Sequence, residues 1–383
     1  MRIASVSLVK NEADILECFV RHNIAFVDKM FIIDDRSSDN TPKILELLKA
    51  EFPNLEVVDD NWSGGFFQGP RTTQLMQHAL REEAWDIVTA LDADEFICAQ
   101  SREEYEEDLR AIPDGMAGGY FEICYVLSAD DDPAQVDPLK RLHTHIERNV
   151  RGAFKALVTK QLCQHGEVVY DNGNHGVRID GSPISVWPLP RVRLAHFPIR
   201  SLEHAILKSL THYVTWKSCH SYLPGIASHL VRSVDILKNE TSFTVQQREE
   251  LISIYLPELE KRVRVERPFV ERRGEMKWPE LARQHPFAQL TALFDDLIER
   301  AAVGDRLILA GGDETSDAGR LRALVEERNA MEKELTRFNK STSKLLTTFA
   351  KVTRQKLARS LRKRHLDTLA YLSRWRSPPG KRD

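Results

Sequence analysis

The stretch Val88-Thr89-Ala90-Leu91-Asp92-Ala93-Asp94-Glu95-Phe96 decides the reading of this chain. Ile87 to Leu91 form an apolar run of the length and composition of a buried strand. The run ends abruptly in three carboxylates, Asp92, Asp94 and Glu95. Alternate side chains of a strand share a face, so a continued strand would point Asp92 and Asp94 the same way. In open α/β sheets the carboxyl ends of strands are where ligands bind. Two hard oxygen donors there suit a divalent cation, Mn²⁺ or Mg²⁺, held together with phosphates. The plainer alternative is an acidic strand-to-helix turn with Asp94 as a helix cap.

Working outward, Ile3 to Val9 read as a first buried strand, followed by Lys10-Asn11-Glu12. Ile15, Phe19, Val20 and Ile24 recur at helical spacing, which predicts a helix over about 13–25. Met30 to Ile33 read as a second strand, ending in Asp34-Asp35-Arg36-Ser37-Ser38-Asp39-Asn40-Thr41, with Pro42 opening a second helix. Leu55 to Val58 give a third strand, and a helix over 71–83 follows a Gly-rich loop at 63–70. The acidic run ends the fourth strand. Strands alternating with helices predict a doubly wound, mostly parallel α/β sheet. Polar clusters at the ends of strands one, two and four would then line one crevice.

The order strand-Lys-Asn-Glu, strand-Asp-Asp-x-Ser-x-Asp-x-Thr, strand-Asp-Ala-Asp-Glu-Phe resembles the family-2 type of nucleotide-sugar glycosyltransferase with the GT-A fold. The likeness covers residues 1–100 and, more loosely, 118–210. It is closest to a bacterial branch with a late His-Phe-Pro-x-Arg-Ser segment, here His196 to Ser201. The resemblance implies transfer of a sugar, with inversion, from a nucleoside-diphosphate-sugar donor to a glycan or glycolipid acceptor hydroxyl. The setting it implies is bacterial surface polysaccharide or lipopolysaccharide assembly. It implies a cation on Asp94, with Asp92 on the ribose or on the metal and His196 as a further ligand. It places nucleoside contacts at Asn11, Glu12, Asp34 and Asp35. Asn11 and Glu12 could equally cap the first helix, and Asp39 the second. Arg71 could meet a phosphate, pair with an acidic residue or lie at the surface. Arg200 and Lys208 could face the diphosphate. The general base stays open among Glu122, Asp171 and His175, the last two in the polar turn Asp171-Asn172-Gly173-Asn174-His175.

A hydrophobic content of 42% and a charged content of 29% are ordinary for a soluble protein. No run of about 18 apolar residues occurs, and no signal-peptide pattern opens the chain. The five cysteines, Cys18, Cys98, Cys124, Cys163 and Cys219, show no zinc spacing, so reduced thiols and a cytoplasmic location are expected. The net charge of −3 hides an asymmetry: from Arg337 onward 14 Lys or Arg face two Asp, which leaves −15 on the preceding 336 residues.

Residues 1–240 are expected to form the GT-A-like domain, and 241–303 a helical extension broken by prolines. His204, His212, His220 and His229 lie along a helical stretch from 201, and Tyr213 and Trp216 could stack on a sugar or pack in a core. A linker at 304–319 precedes a coiled-coil-like helix at 320–358. There Leu324, Met331, Phe338, Leu345 and Val352 recur every seven residues, and 321–352 could form a homodimer. The basic tail, 359–383, mixes Lys and Arg with Leu366, Leu369, Leu372 and Trp375. Its segment 359–376 could lie on an anionic membrane surface, which would make the protein peripheral on the inner face, or be simply solvated. Nucleic acid is not an expected partner, because no recognisable module is present. Two rival readings remain: a nucleotidyltransferase, against which Lys10-Asn11-Glu12 replaces a Gly-rich phosphate loop, and an inactive transferase-like scaffold acting through its coiled coil.

Overall fold

The computed structural model describes residues 1–59, 68–128, 131–148 and 154–217, with short stretches at 233–237, 244–252, 263–264, 271–272, 274–283, 290–291 and 294. The expected linker, coiled coil and basic tail lie outside the described residues, as do most of the Gly-rich loop, His220 and His229. The chain divides into two compact units, one of 1–205 with 252–290 and one of 206–251 with 291–383. Of the second, the described residues are largely helical, at 206–217, 233–237 and 245–251.

The first unit opens with β1 (Ile3–Val9), α1 (Leu16–Asn23), β2 (Lys29–Asp34), α2 (Thr41–Glu51), β3 (Leu55–Val57), α3 (Gln68–Glu82), β4 (Ile87–Ala90) and β5 (Glu95–Cys98). Next come α4 (Arg102–Arg110), β6 (Ala117–Val126), α5 (Pro138–Arg141), β7 (Thr144–Arg148) and β8 (Lys155–Thr159). Then follow β9 (Val168–Tyr170), β10 (Val177–Ile179), β11 (Ser182–Pro183), β12 (Val186–His196), α6 (Leu202–Lys217), which from 206 on belongs to the second unit, and, again in the first, β13 (Val263–Arg264).

The fold is α/β, built on one ten-stranded sheet of order β13-β7-β6-β8-β4-β1-β2-β3, with β12 on β6 and β5 on β12. The strands read first from the sequence pair in parallel, β4 with β1, β1 with β2 and β2 with β3. β8 enters antiparallel between β4 and β6, whereas β12 runs parallel to β6. Strand alternation places Met30 and Ile32 in the core on one face and Phe31 and Ile33 in the core on the other. Leu16, Phe19 and Val20 of α1 and Ile44, Leu45 and Leu48 of α2 fill the first core, and Leu75, Met76 and Ala79 of α3 the second. Helices thus cover both faces, as the near-continuous apolar strands require.

Two details position the site. β12 shifts register between Pro188 and Arg193, and the buried Asp108 carboxylate accepts the Arg191 and Val192 N–H groups released there, at 2.8 and 2.9 Å. β5 pairs with β12 on one side. On its other side, Asn23 of α1 donates to the Glu95 carbonyl and accepts from Ile97 N–H, both at 2.9 Å. His22 Nε2 adds a contact of 2.8 Å to the Ile97 carbonyl. Side chains of a helix therefore take the place of a strand beside the acidic run. The stretch 274–283 packs back on α1, where Glu17 accepts the N–H groups of Lys277 and Trp278. Among the described residues no helix is long and apolar enough to cross a membrane.

Candidate active site

The strand carrying the acidic run stops at Ala90, and Asp92 to Glu95 form a tight turn. Asp92 N–H donates to the Glu95 carboxylate at 2.9 Å, and Glu95 N–H to the Asp92 carbonyl at 3.0 Å. The expectation that Asp92 and Asp94 point the same way is corrected here. It assumed a strand through residue 94, and the turn sends the two carboxylates to different partners. Asp92 accepts from Gln68 at 2.8 Å, from Asn174 at 3.1 Å and from Lys155 Nζ at 2.6 Å. Asp94, buried, faces His196 Nε2 at 3.4 Å and Arg200 at 3.8 Å. Neither caps a helix.

Lys155 is the largest omission of the sequence reading. Its side chain is 4% exposed and also meets Glu95, itself fully buried, at 2.8 Å. Burial disfavours the ammonium, but Asp92, then Glu95 and Glu122, hold its pKa well above the ordinary lysine range. Burial first, then the charges of Asp92 and Glu122, push the Glu95 carboxyl up to about 8 against the pull of Lys155 and His196. The signal was available, because a lysine inside the apolar run Phe154 to Thr159 can be buried only if it is paired.

His196 ends β12, opposite Glu95 of β5 and Cys124 of β6. Its Nδ1 lies 3.0 Å from the Glu122 carboxylate, so the ring bridges Glu122 and Asp94. Burial works against a charge on the ring, yet Asp94 and Glu122 hold it protonated well above the usual histidine range. Against its own burial, the His196 cation holds Glu122 down at about 2. A carboxylate oxygen and an imidazole nitrogen 3.4 Å apart, with the second ring nitrogen anchored by another carboxylate, form a donor set that fits Mn²⁺.

The other expected residues gather at the same strand ends, in other company. Asp35 is paired with Arg71 at 2.8 Å and Lys10 at 3.2 Å, and Arg71 is buried, which removes its surface alternative. Asp34 accepts from the Ser37 hydroxyl and N–H, and burial raises its pKa. Asn11, in the left-handed region at φ 56°, accepts from Ser38 N–H at 2.8 Å instead of capping α1. Glu12 does not cap α1 with its side chain either; its carboxylate takes Arg200 at 2.6 Å. Asp39 accepts Thr41 N–H at 2.9 Å, a capping contact at the start of α2. Arg200 is fully buried and grips Asp14 through two nitrogens at 2.7 and 2.8 Å. The expectation that it faces the diphosphate is therefore corrected: its guanidinium is committed to carboxylates.

The three base candidates are held differently. Glu122 is buried beside His196. Asp171 is paired with Arg178 at 2.8 Å. His175 is exposed, with Nδ1 3.0 Å from the Phe154 carbonyl. The turn that carries Asp171 and His175 docks on the start of α3, where Gly69 N–H donates to Asn172 Oδ1 at 3.0 Å. A Cβ on Gly69 would lie 2.6 Å from the Tyr170 carbonyl oxygen, so only glycine permits that approach. The turn in this way delivers Asn174 to Asp92.

No protein-family model matches the chain, and no curated protein sequence does. Among solved structures, Staphylococcus aureus TarS is similar at a TM-score of 0.30 and 12% identity, over 62% of this chain and 48% of that one. The chain thus spans about half the length of TarS. Glucosyl-3-phosphoglycerate synthase from Mycobacterium tuberculosis, in complex with Mn²⁺ and UDP-glucose, is similar at 0.23 and 16% identity, over 32% of this chain and 43% of that one. Mannosyltransferase PcManGT from Pyrobaculum calidifontis, in complex with GDP-mannose and Mn²⁺, is similar at 0.29 and 14% identity, over 95% and 87%. Similarity of this degree assigns no activity.

Proposed function

We propose that this chain is a glycosyltransferase that moves a sugar from a nucleoside-diphosphate-sugar donor to an acceptor hydroxyl, with inversion. The observation that carries the reading is His196 set between Asp94 and Glu122 at the strand ends where Lys10, Asp35 and Asp92 also converge. Asp94 and His196 would hold a divalent cation; when bound, it supplies positive charge against the diphosphate leaving group. Glu122 fixes the His196 ring by accepting from Nδ1, which turns Nε2 toward Asp94. Asp92, with three donors already on its carboxylate, organises the turn and stands near the ribose rather than on the cation.

His175 is the base in this reading. A neutral ring that donates Nδ1–H to the Phe154 carbonyl keeps its lone pair on Nε2, ready for the acceptor proton. The acceptor oxygen attacks the anomeric carbon, the bond to the diphosphate breaks, and the electron pair leaves with the nucleotide. A glycan or glycolipid acceptor in bacterial surface polysaccharide assembly follows from the motif resemblance.

The test is a thermal-shift panel of UDP, GDP, dTDP and CMP compounds, each with and without Mn²⁺. Stabilisation by one nucleotide only with metal, lost in Asp94→Asn, is the expected result. Binding that ignores the metal, or no shift with any nucleotide, would sink the proposal.

A further inference from the structure

The imidazole of His196 faces a second donor set on its Nδ1 side, of which the proposed reaction uses only Glu122, as the anchor of the ring. β6 and β12 run parallel with Cys124 directly opposite His196, and Glu122 lies two residues earlier on the same face of β6. A carboxylate, a thiol and an imidazole are thereby brought together by sheet register, with donor atoms all within 4.8 Å of one another. His196 Nδ1 is 3.0 Å from Glu122 Oε1 and 4.0 Å from Cys124 Sγ. Around a tetrahedral zinc, bonds of about 2.0–2.3 Å put neighbouring donors roughly 3.3–3.6 Å apart. The two observed distances bracket that spacing, so small rotations of the side chains would complete three corners of a tetrahedron.

We infer that Glu122, Cys124 and His196 Nδ1 form a binding site for Zn²⁺ or a cation of similar softness, in competition with a hard cation on Asp94 and Nε2. The thiolate selects zinc over Mn²⁺ or Mg²⁺. Carboxylate and thiolate together neutralise the two positive charges. The thiol proton of Cys124 and the proton on Nδ1 are released to solvent, and no redox change occurs. A neutral imidazole has one lone pair, so the nitrogen that takes a metal leaves the other as a donor only. The two modes therefore exclude each other, and zinc acts as an inhibitor of hard-metal binding. The site itself stands without the proposed function; its inhibitory consequence rests on that reading.

Cobalt is the probe, because a thiolate on Co²⁺ gives a near-ultraviolet charge-transfer band. The full chain, reduced, is titrated with Co²⁺ and then with Zn²⁺. The expected result is a thiolate band saturating at one cobalt per chain and removed by one zinc. The band is absent in Cys124→Ser, whose fold is checked by circular dichroism, and is kept in Cys98→Ser. Asp94→Asn should keep the band while losing Mn²⁺ binding, followed by the electron spin resonance of free Mn²⁺. In the wild type, one equivalent of zinc should weaken Mn²⁺ binding at least tenfold. No thiolate band, or a band that survives both Cys124→Ser and Cys124→Ala, overturns the site. A normal band with no Mn²⁺ binding at all would count against the transferase reading and leave the zinc site standing.

Discussion

Replacing Lys155 with methionine removes the one cation that touches both Asp92 and Glu95 among the described residues. Removal of one partner of a buried ion pair costs about 3–5 kcal/mol. Asp92 is 26% exposed and keeps Gln68 and Asn174, whereas Glu95 is 0% exposed and its carboxyl stands at about 8, so at pH 7 the ion pair removed is chiefly that of Lys155 with Asp92. We therefore expect the lower end, about 3 kcal/mol at pH 7, or roughly a hundredfold in the folding equilibrium. Without Lys155 the Glu95 value rises further, so the cost is level just below about 8 and grows above it, where the wild type ionises Glu95 and the variant does not, by at most about 1.4 kcal/mol per pH unit. Urea unfolding followed by tryptophan fluorescence at pH 7 and pH 9 measures both. The double variant Lys155→Met/Glu95→Gln should lose that rise above pH 8, because no group is left there to ionise. A cost under about 1 kcal/mol at pH 7, or the same cost at pH 9, would refute the reasoning.

Other expectations are simpler. Gly69→Ala would set a Cβ 2.6 Å from the Tyr170 carbonyl oxygen, so α3 and the 171–176 turn must part, at about 1–3 kcal/mol; an unchanged urea midpoint would count against it. Asp108→Ala strands the buried Val192 N–H and the partly buried Arg191 N–H and should cost more than Asp108→Asn, which keeps one acceptor; equal midpoints would contradict this. Glu51, gripped by Arg21 and then Lys277 against the pull of desolvation, is depressed to about 2. Its contribution to stability is complete above its ordinary 4.5 and lost as pH falls toward 2, so Glu51→Gln should flatten that part of the acid-unfolding curve.

Much of the first half of the fold was legible because each of its strands is apolar and is closed by polar turn chemistry. The third helix began three residues earlier than its periodicity implied, at Gln68, and Gln68 is itself a partner of Asp92. The site was legible as a set of strand ends and not as a set of partnerships. Lys155 and Asp92 are 63 residues apart and meet only because β8 inserts antiparallel beside β4. Arg200 stood out within its segment, but its direction is set by Asp14, 186 residues earlier. Asp92 and Asp94 diverge because the Glu95 carboxylate, three residues on, captures the Asp92 N–H and stops the strand. Local patterns say which residues end strands; which charge answers which depends on register between distant strands, and that is not written locally.

The two side chains of α1 that line β5 have a consequence for how copies of this protein meet. A short strand beside a cleft ordinarily offers a row of unpaired amides and carbonyls, a template on which another chain can add a strand. Here Asn23 fills both a donor and an acceptor position on that row, and His22 covers a second carbonyl. The acidic turn can sit at the end of a strand without exposing that strand to recruitment by a neighbour. Loss of the Asn23 amide would thus be felt first as self-association under crowded conditions, before any change in the turn itself.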